Sequence, residues 1–288
     1  MKKRVIIIAA ALLCALAVVS IEAADRFSHK PAHIICAEDY PAVYDAELKE
    51  IFGEYSVGER RDMHIEGEIC SCGYHQDTVD YYSWEISYMD ACGDSYTCEL
   101  TNREDFYAQQ FEWMEDQVFS HYYNTYALRF FPSASDDAYK GYCRIGDIRL
   151  SWSSDEDLRQ METAEAYLQS LIDGKTIVPL GRLDYASLFS DYPAVLSVHV
   201  ALDDENIAAE QWQANFDEQL GRMYEMADCI IRDTDSSANL ILNIYSRADA
   251  APEGGSERFL HYVNGALLEE RSDFNSEVFA AYEGKFWG

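Results

Sequence analysis

Apolar residues recur along this chain at two different spacings, and each spacing predicts a different secondary structure. A helical spacing of three or four residues is clearest over residues 107–122, where the intervals are four, three, four and four. The same spacing predicts helices over 41–54 and 154–173 and a long helix that begins at Asp203 and continues through Ala227. We therefore expect amphipathic helices spread over the whole chain.

The predicted helix over 107–122 can be described residue by residue. Its apolar stripe consists of Tyr107, Phe111, Met114, Val118 and Tyr122. Asn102 precedes the stripe and is the expected N-cap, since an asparagine side chain can accept hydrogen bonds from the first free N–H groups of a helix. Glu112, Glu115 and Asp116 lie off the stripe. We expect these three acids on the solvent face of the helix.

Strands are predicted where apolar and polar residues alternate. This pattern covers Ala194–Leu202 and Arg258–Leu268, and a shorter apolar run predicts a strand over Tyr126–Phe131. Asn239–Tyr245 carries apolar residues on both faces. A strand that is apolar on both faces is typical of the middle of a sheet, so we expect Asn239–Tyr245 to be a central strand.

A β-hairpin is predicted around Gly93-Asp94. Trp84, Ile86 and Tyr88 share one face of its first strand, and Tyr96, Cys98 and Leu100 share one face of its second. For both faces to meet one core, either Ile86 or Tyr88 should lie opposite Leu100. Each register needs an odd-numbered loop, and we expect three residues.

The order of predicted elements indicates the fold class. A strand, an acidic cap, a long helix and a second strand follow each other twice, over Tyr96–Phe131 and Ala194–Tyr245. This order predicts an α+β fold of two small units, each an amphipathic helix packed on a short antiparallel or mixed sheet. We place the units at 31–131 and 142–288, and the Ser/Asp/Ala-rich residues 132–141 between them as a linker.

The first 24 residues have the pattern of an export signal. A basic start, Met1–Arg4, precedes the unbroken apolar run Val5–Val19 and then several small residues. This order is typical of a Sec-type signal peptide. Residues 5–21 also reach the lower length limit of a membrane-spanning helix, so an uncleaved signal anchor is the alternative. Both interpretations predict that the rest of the chain lies outside the cytoplasm, either secreted or anchored to the membrane.

Acidic residues greatly outnumber basic ones. The chain has 52 Asp and Glu against 22 Lys and Arg, which gives a formal net charge of −30 at pH 7. A field of this sign repels phosphate backbones and anionic lipid headgroups. We therefore expect neither nucleic-acid binding nor peripheral binding to anionic membranes. The acids are dispersed along the chain, as in a solvated surface, and the partners that they favour are basic peptides.

Seven cysteines follow the export segment, and five of them lie between Cys36 and Cys98. Cysteines outside the cytoplasm can pair as disulfides. Because Cys98 is expected to face inward, we predict a disulfide from Cys98 to Cys70 or Cys72. The residues Cys70, Cys72, His75 and Cys98 are also zinc candidates, but their spacing differs from the paired C-x2-C of zinc ribbons. We therefore expect neither a metal nor a cofactor.

The sequence contains no familiar catalytic motif. H-E-x-x-H, G-x-S-x-G, the Walker loop and G-x-G-x-x-G are all absent, and no catalytic residue can be singled out among 52 acids. The first hypothesis is an exported cell-surface binding or accessory protein without catalytic activity, whose ligand is a glycan or a basic peptide. The alternative is an extracytoplasmic hydrolase that uses carboxylates on cell-wall or glycan substrates.

Overall fold

Two β-sheets with helices packed on them form the described part of the chain. The computed structural model describes residues 39–65, 79–132, 139–146, 154–248 and 257–272. Helices and strands occur together along the chain, so the predicted α+β class is confirmed. The predicted signal segment, residues 1–24, lies wholly outside these ranges.

The first sheet has four strands, and one of them pairs with the other three. The strands are β1 (Tyr55–Val57), β2 (Arg61–Ile65), β3 (Val79–Met89) and β4 (Ser95–Thr101). β1, β2 and β4 each pair with β3, and all three pairings are antiparallel. Trp84, Ile86 and Tyr88 are buried on one face of β3, as their alternation predicted.

The β3–β4 hairpin has the odd-numbered loop that the sequence predicts. Ala91–Gly93 form the loop, because the Asp90 N–H donates to the Asp94 carbonyl oxygen (2.9 Å) directly before and after it. The Gly93 N–H donates to the Asp90 carbonyl oxygen (3.1 Å). Gly93 has a φ of 90°, in the region that a residue at the end of a three-residue hairpin loop adopts and that glycine tolerates best.

The predicted partners of Leu100 are wrong. Leu100 lies opposite Trp84, and neither Ile86 nor Tyr88 occupies that position. Ile86 lies opposite Cys98 instead. The alternation of side chains requires that inward residues pair with inward residues, and three different registers satisfy this condition. The alternation alone therefore could not choose among them.

The second sheet has five strands in the order β5-β6-β7-β8-β9. They are β5 (Tyr139–Ile145), β6 (Ala194–Ala201), β7 (Asn239–Tyr245), β8 (Glu257–Val263) and β9 (Ala266–Arg271). β6 and β7 are parallel, and the other pairs are antiparallel. β7 is the middle strand and is buried over 239–244, which confirms the predicted central strand. The single strand predicted over Arg258–Leu268 is instead the β8–β9 hairpin, which turns at Asn264-Gly265.

The helices are α1 (Tyr40–Val43), α2 (Asp45–Phe52), α3 (Phe106–Tyr122), α4 (Leu128–Phe130), α5 (Ser154–Asp173), α6 (Leu188–Asp191) and α7 (Ala209–Asp233), with a 3-10 turn at Leu180–Arg182. α5 has the predicted bounds, whereas α7 begins at Ala209 rather than at Asp203. A π-helical turn, Tyr123–Ala127, joins α3 to α4. The strand predicted over Tyr126–Phe131 is therefore wrong, because an apolar run of this length fits a helix as well as a strand.

The N-cap of α3 is Asp105 and not Asn102. The Asp105 side chain accepts hydrogen bonds from the N–H groups of Tyr107 (2.9 Å) and Ala108 (3.3 Å). Asn102 is buried instead, and its Oδ1 accepts a hydrogen bond from the Tyr82 N–H (2.7 Å). Both residue types cap helices well, so their order of preference does not decide which one does so here.

Helix α3 packs against both sheets. On one side, Trp113 Nε1 donates to the Glu99 carbonyl oxygen in β4 (2.9 Å). On the other side, the Glu115 carboxylate binds Arg144 and the Ile145 N–H in β5. Buried apolar residues from both halves of the chain form one cluster. Two separate cores were expected, and the described residues form a shared one.

The predicted linker overlaps a strand. Tyr139–Gly141 belong to β5 and pair with β6, although we placed them in the linker over 132–141. The expected repeat of strand, helix and strand is also absent from the first half, because α4 occupies the place of its second strand. Residues 133–138 lie outside the described part, so the limits 31–131 and 142–288 stay a prediction.

The export prediction concerns residues that the structure does not describe. The predicted signal peptide, 1–24, and the alternative anchor, 5–21, both precede residue 39. Among the residues described after that point, no helix is both long enough and apolar enough to cross a bilayer. Export therefore stays a prediction.

Candidate functional site

A cleft lies between helix α3 and strand β5, at the edge of the second sheet. Its volume is about 270 Å³. Glu112, Glu115, Asp116 and Phe119 line one side, and Gly141, Tyr142, Cys143 and Arg144 line the other. The α3 residues are three, four and seven positions after Glu112, so the helical repeat places them on one face. The cleft is therefore formed by one face of α3 and one stretch of an edge strand.

Glu115 and Arg144 form an ion pair at the back of the cleft. Arg144 Nη1 donates to Glu115 Oε2 (2.8 Å), and the Ile145 N–H donates to Glu115 Oε1 (2.8 Å). The side chain of Glu115 is 9% exposed and that of Arg144 is 18% exposed. Burial raises the pKa of Glu115, and Arg144 and the Ile145 N–H oppose that rise. The expectation that Glu115 faces solvent is wrong, because β5 packs over that part of α3.

Glu112 and Asp116 occupy the open side of the cleft. Neither carboxylate has a hydrogen bond or an ion pair with any residue that the structure describes. The pKa of Glu112 is raised to about 7, first by burial and then by the charges of Glu104 and Asp116, while Arg144 opposes the shift. Burial likewise raises the pKa of Asp116. Solvent still reaches both carboxylates, so they are partly desolvated rather than enclosed. The expectation that these two acids are exposed is confirmed.

Two aromatic rings complete the walls of the cleft. Phe119 and Tyr142 are each partly buried, and the Arg144 guanidinium carbon lies 5.8 Å from the centre of the Tyr142 ring. Gly141 allows the strand to approach the helix this closely, because a Cβ at this position would collide with the Ser197 carbonyl oxygen and the Phe119 ring. The cleft therefore combines carboxylates with flat apolar walls.

A second group of polar side chains lies at the β3–β4 loop. Asp90 directly precedes the loop, Cys92 lies in its middle, and His121 comes from the last turn of α3. One carboxylate oxygen, the thiol sulfur and one imidazole nitrogen all lie within 4.8 Å of one another. Burial lowers the pKa of His121 and raises the pKa of Cys92. The imidazole is therefore neutral at pH 7, and the thiol keeps its proton.

The structure of this loop depends on a buried hydrogen-bond network. The Tyr185 hydroxyl donates to Asp90 Oδ2 (2.9 Å) and accepts from Gln117 Nε2 (2.8 Å). Gln117 Oε1 in turn accepts from the Tyr88 hydroxyl (2.6 Å). The network joins β3, helix α3 and the segment before α6. It holds the carboxylate of Asp90 in a fixed position.

In comparisons with known proteins, no family model, curated protein or solved structure matches this chain. Conclusions about function therefore depend on the geometry of the cleft and of the loop cluster.

Most of the site residues predicted from the sequence fall outside the described part. Cys70, Cys72 and His75 lie in the segment 66–78, so neither the disulfide nor the zinc candidates can be placed. Cys98 is described, and it is partly buried opposite Ile86 in the hairpin. Burial raises the pKa of its thiol far above the usual range. Cys98 is therefore an unreactive thiol as long as it is not bonded to another sulfur.

The cleft and the loop cluster were both missed in the sequence. Glu115 could have been found, because it lies four residues after Phe111 and three before Val118 and so borders the apolar stripe. No comparable signal connects Asp90 and Cys92 to His121. About thirty residues separate them, and only the packing of α3 on the hairpin brings them together.

Proposed function

We propose that this chain is an exported binding or accessory protein without catalytic activity, and that the α3–β5 cleft binds a cationic group of its ligand. The observation that supports this proposal is the pair Glu112 and Asp116, which have no cationic partner within the described chain. Arg144, which lines the same cleft, already binds Glu115. The two α+β parts would act as one binding body, because α3 packs on both sheets.

The chemistry of the cleft favours a lysine or arginine side chain of a basic peptide. A bound cation would supply the counter-charge that the partly desolvated carboxylates of Glu112 and Asp116 lack within the described chain. Phe119 and Tyr142 offer aromatic faces that attract a cation and pack on its aliphatic stem. The volume of about 270 Å³ is below the usual range for whole drug-sized ligands. A single side chain fits this volume better than an oligosaccharide.

The hydrolase hypothesis has one observation in its favour. The pKa of Glu112 is raised to about 7, which is suitable for a general acid at neutral pH. A glycosidase also needs a second carboxylate that stays ionised. Such a pair flanks the scissile bond, whereas Glu115 is bound by Arg144 and Asp116 lies one helical turn from Glu112 on the same face of α3. The cleft therefore supports binding better than hydrolysis.

The binding proposal predicts a charge-specific loss of affinity. The double variant Glu112→Gln, Asp116→Asn should bind an oligolysine peptide about tenfold more weakly, which corresponds to about 1.4 kcal/mol. Calorimetry at low ionic strength would measure the change. The wild-type affinity should increase as the pH rises through about 7, because the ionised form of Glu112 then predominates. The same peptide with acetylated lysines should not bind.

The control removes two charges elsewhere. Glu210 and Glu225 are exposed on helix α7, so Glu210→Gln, Glu225→Gln changes the net charge equally without altering the cleft. Equal losses in the two double variants would show only general attraction to an acidic protein and would contradict the proposal. Release of reducing ends from cell-wall glycans, abolished by Glu112→Gln, would establish the hydrolase alternative.

Export is predicted independently of the cleft. Residues 1–24 supply the basic, apolar and small-residue order of a Sec-type signal. Cell fractionation should find the protein outside the cytoplasm, and intact-mass analysis should show whether the segment is removed or retained as an anchor. Full-length protein found mainly in the cytosol would refute export.

A further inference from the structure

The β3–β4 loop and the end of helix α3 bring three different metal-binding groups together. The Asp90 carboxylate, the Cys92 thiol and the His121 imidazole each offer one atom, and these atoms lie within 4.8 Å of one another. The cluster is separate from the α3–β5 cleft and shares no residue with it. An inference about the cluster therefore does not depend on the proposed cationic ligand.

Two of the three groups are held in place before any ligand binds. Asp90 Oδ1 accepts hydrogen bonds from the N–H groups of Cys92 (2.9 Å) and Asp94 (2.9 Å), so the loop is folded around this carboxylate. The His121 ring stacks on the Tyr185 ring with centroids 3.6 Å apart and planes 6° apart. Tyr185 also donates to Asp90 Oδ2. One tyrosine thus positions both the carboxylate and the imidazole.

The His121 ring has a polar atom that the described protein leaves unsatisfied. Its Nδ1 is buried and has no hydrogen-bond partner among the residues that the structure describes. Buried polar atoms without a partner are rare, because leaving one unpaired costs free energy. A bound metal ion is one partner that would satisfy such a nitrogen. Cys92 is exposed at the middle of the loop, so its sulfur can move towards a bound ion.

We propose that Asp90, Cys92 and His121 form a binding site for a divalent transition-metal ion of the zinc type. Sulfur, imidazole nitrogen and carboxylate oxygen together are the ligands that zinc takes in proteins, whereas Ca²⁺ and Mg²⁺ prefer oxygen alone. Zn–N and Zn–S bonds of about 2.0 and 2.3 Å place neighbouring ligands roughly 3.5 Å apart. A small inward shift of the exposed loop reaches this spacing. Three protein ligands leave a fourth position open to water or another group.

Metal binding at this cluster has a defined proton balance. The Cys92 thiol must lose its proton to bind the ion as a thiolate, and that proton passes to solvent. The neutral imidazole and the carboxylate bind without losing a proton. One proton is therefore released for each ion bound.

Cobalt titration of the full chain, after chelator treatment, tests the site. Co²⁺ should bind and give a thiolate-to-cobalt charge-transfer band in the near ultraviolet, and Zn²⁺ should displace it. Cys92→Ser should abolish the band, and Cys92→Ser and His121→Gln should each weaken Zn²⁺ binding by about tenfold or more. Cys229→Ser, which removes a partly buried thiol from helix α7, should leave both the band and the affinity unchanged. Circular dichroism would verify that each variant is folded.

Cys70 and Cys72 provide the decisive comparison, because they are two of the three cysteines among the earlier zinc candidates. A band that persists in Cys92→Ser but disappears in Cys70→Ser, Cys72→Ser would overturn the proposal, as would the absence of any band in the wild type. Zn²⁺ should also slow alkylation of Cys92 by iodoacetamide. Cys92 lies in an exposed loop, so Cys92→Ser is expected to fold. This variant can therefore test the site even if His121→Gln does not fold.

Discussion

Replacing Arg144 with methionine is expected to lower the free energy of unfolding by about 3–5 kcal/mol. The substitution removes the cation that binds the Glu115 carboxylate and leaves that carboxylate buried without a counter-charge. Removing one partner of a buried ion pair is more destabilising than the net contribution of the pair, because the remaining charge stays desolvated. Urea denaturation followed by tryptophan fluorescence would measure the loss.

The loss of stability in Arg144→Met should become larger as the pH rises. Burial already raises the pKa of Glu115, and removing Arg144 removes the main influence that lowers it. The folded variant then retains a proton on Glu115 at pH values where the unfolded chain, with a glutamate pKa of about 4.3, has released it. Stability therefore falls as the pH rises, and the loss relative to wild type should be larger at pH 8 than at pH 5.

Two control variants make this prediction specific. Glu115→Gln combined with Arg144→Met should recover most of the stability, because the amide oxygen can still accept from the Ile145 N–H and no buried charge remains. Arg222 forms an exposed ion pair with Glu218, so Arg222→Met should change the stability by less than about 1 kcal/mol. Equal losses in Arg144→Met and Arg222→Met would show that the cleft ion pair is not buried in solution.

Replacing Tyr185 with phenylalanine should lower the free energy of unfolding by about 2–3 kcal/mol. The hydroxyl donates to Asp90 and accepts from Gln117, and both partners are buried. Without it, one carboxylate oxygen and one amide N–H lose a hydrogen bond in a place that water reaches poorly. Tyr55→Phe removes a hydroxyl that binds Asp45 at the exposed surface and should cost less than about 1 kcal/mol.

The variant Tyr185→Phe also tests whether the two sheets unfold together. Tyr185 lies in the second half of the chain, and its network reaches Tyr88 and Asp90 at the end of the first sheet. Because the core is also shared, Tyr185→Phe should shift one cooperative transition that fluorescence and circular dichroism report at the same urea concentration. Two separated transitions, with only one of them shifted, would instead support two independent units.

The elements predicted correctly from the sequence are those whose patterns are long or two-sided. The helical spacing over 154–173 predicted α5, and the apolar residues on both faces of Asn239–Tyr245 predicted the central strand. These patterns succeed because burial imposes a period on the side chains that face a core, whatever the neighbouring elements are. The odd-numbered loop of the β3–β4 hairpin was predictable for the same reason.

Where a sequence pattern is short, or where two residues suit one position equally well, only the tertiary structure shows which conformation forms. The run Tyr126–Phe131 was predicted as a strand and is mainly helical, because the helix that precedes it continues through a π-helical turn. Asn102 and Asp105 are both good N-cap residues. The Asn102 side chain accepts a hydrogen bond from the buried Tyr82 N–H instead, and Asp105 caps α3. In each case two local conformations are close in energy, and packing chooses between them.

Both candidate sites were decided by tertiary structure alone. Glu115 is an acid on the border of an apolar stripe, and it is buried only because β5 brings Arg144 to it. Asp90 and Cys92 meet His121 only because α3 crosses the end of the hairpin. The spacing of apolar residues indicates which side chains are buried, since burial affects every residue on one face of a helix or strand. It carries no information about which distant residues meet, because such pairs depend on how whole elements pack.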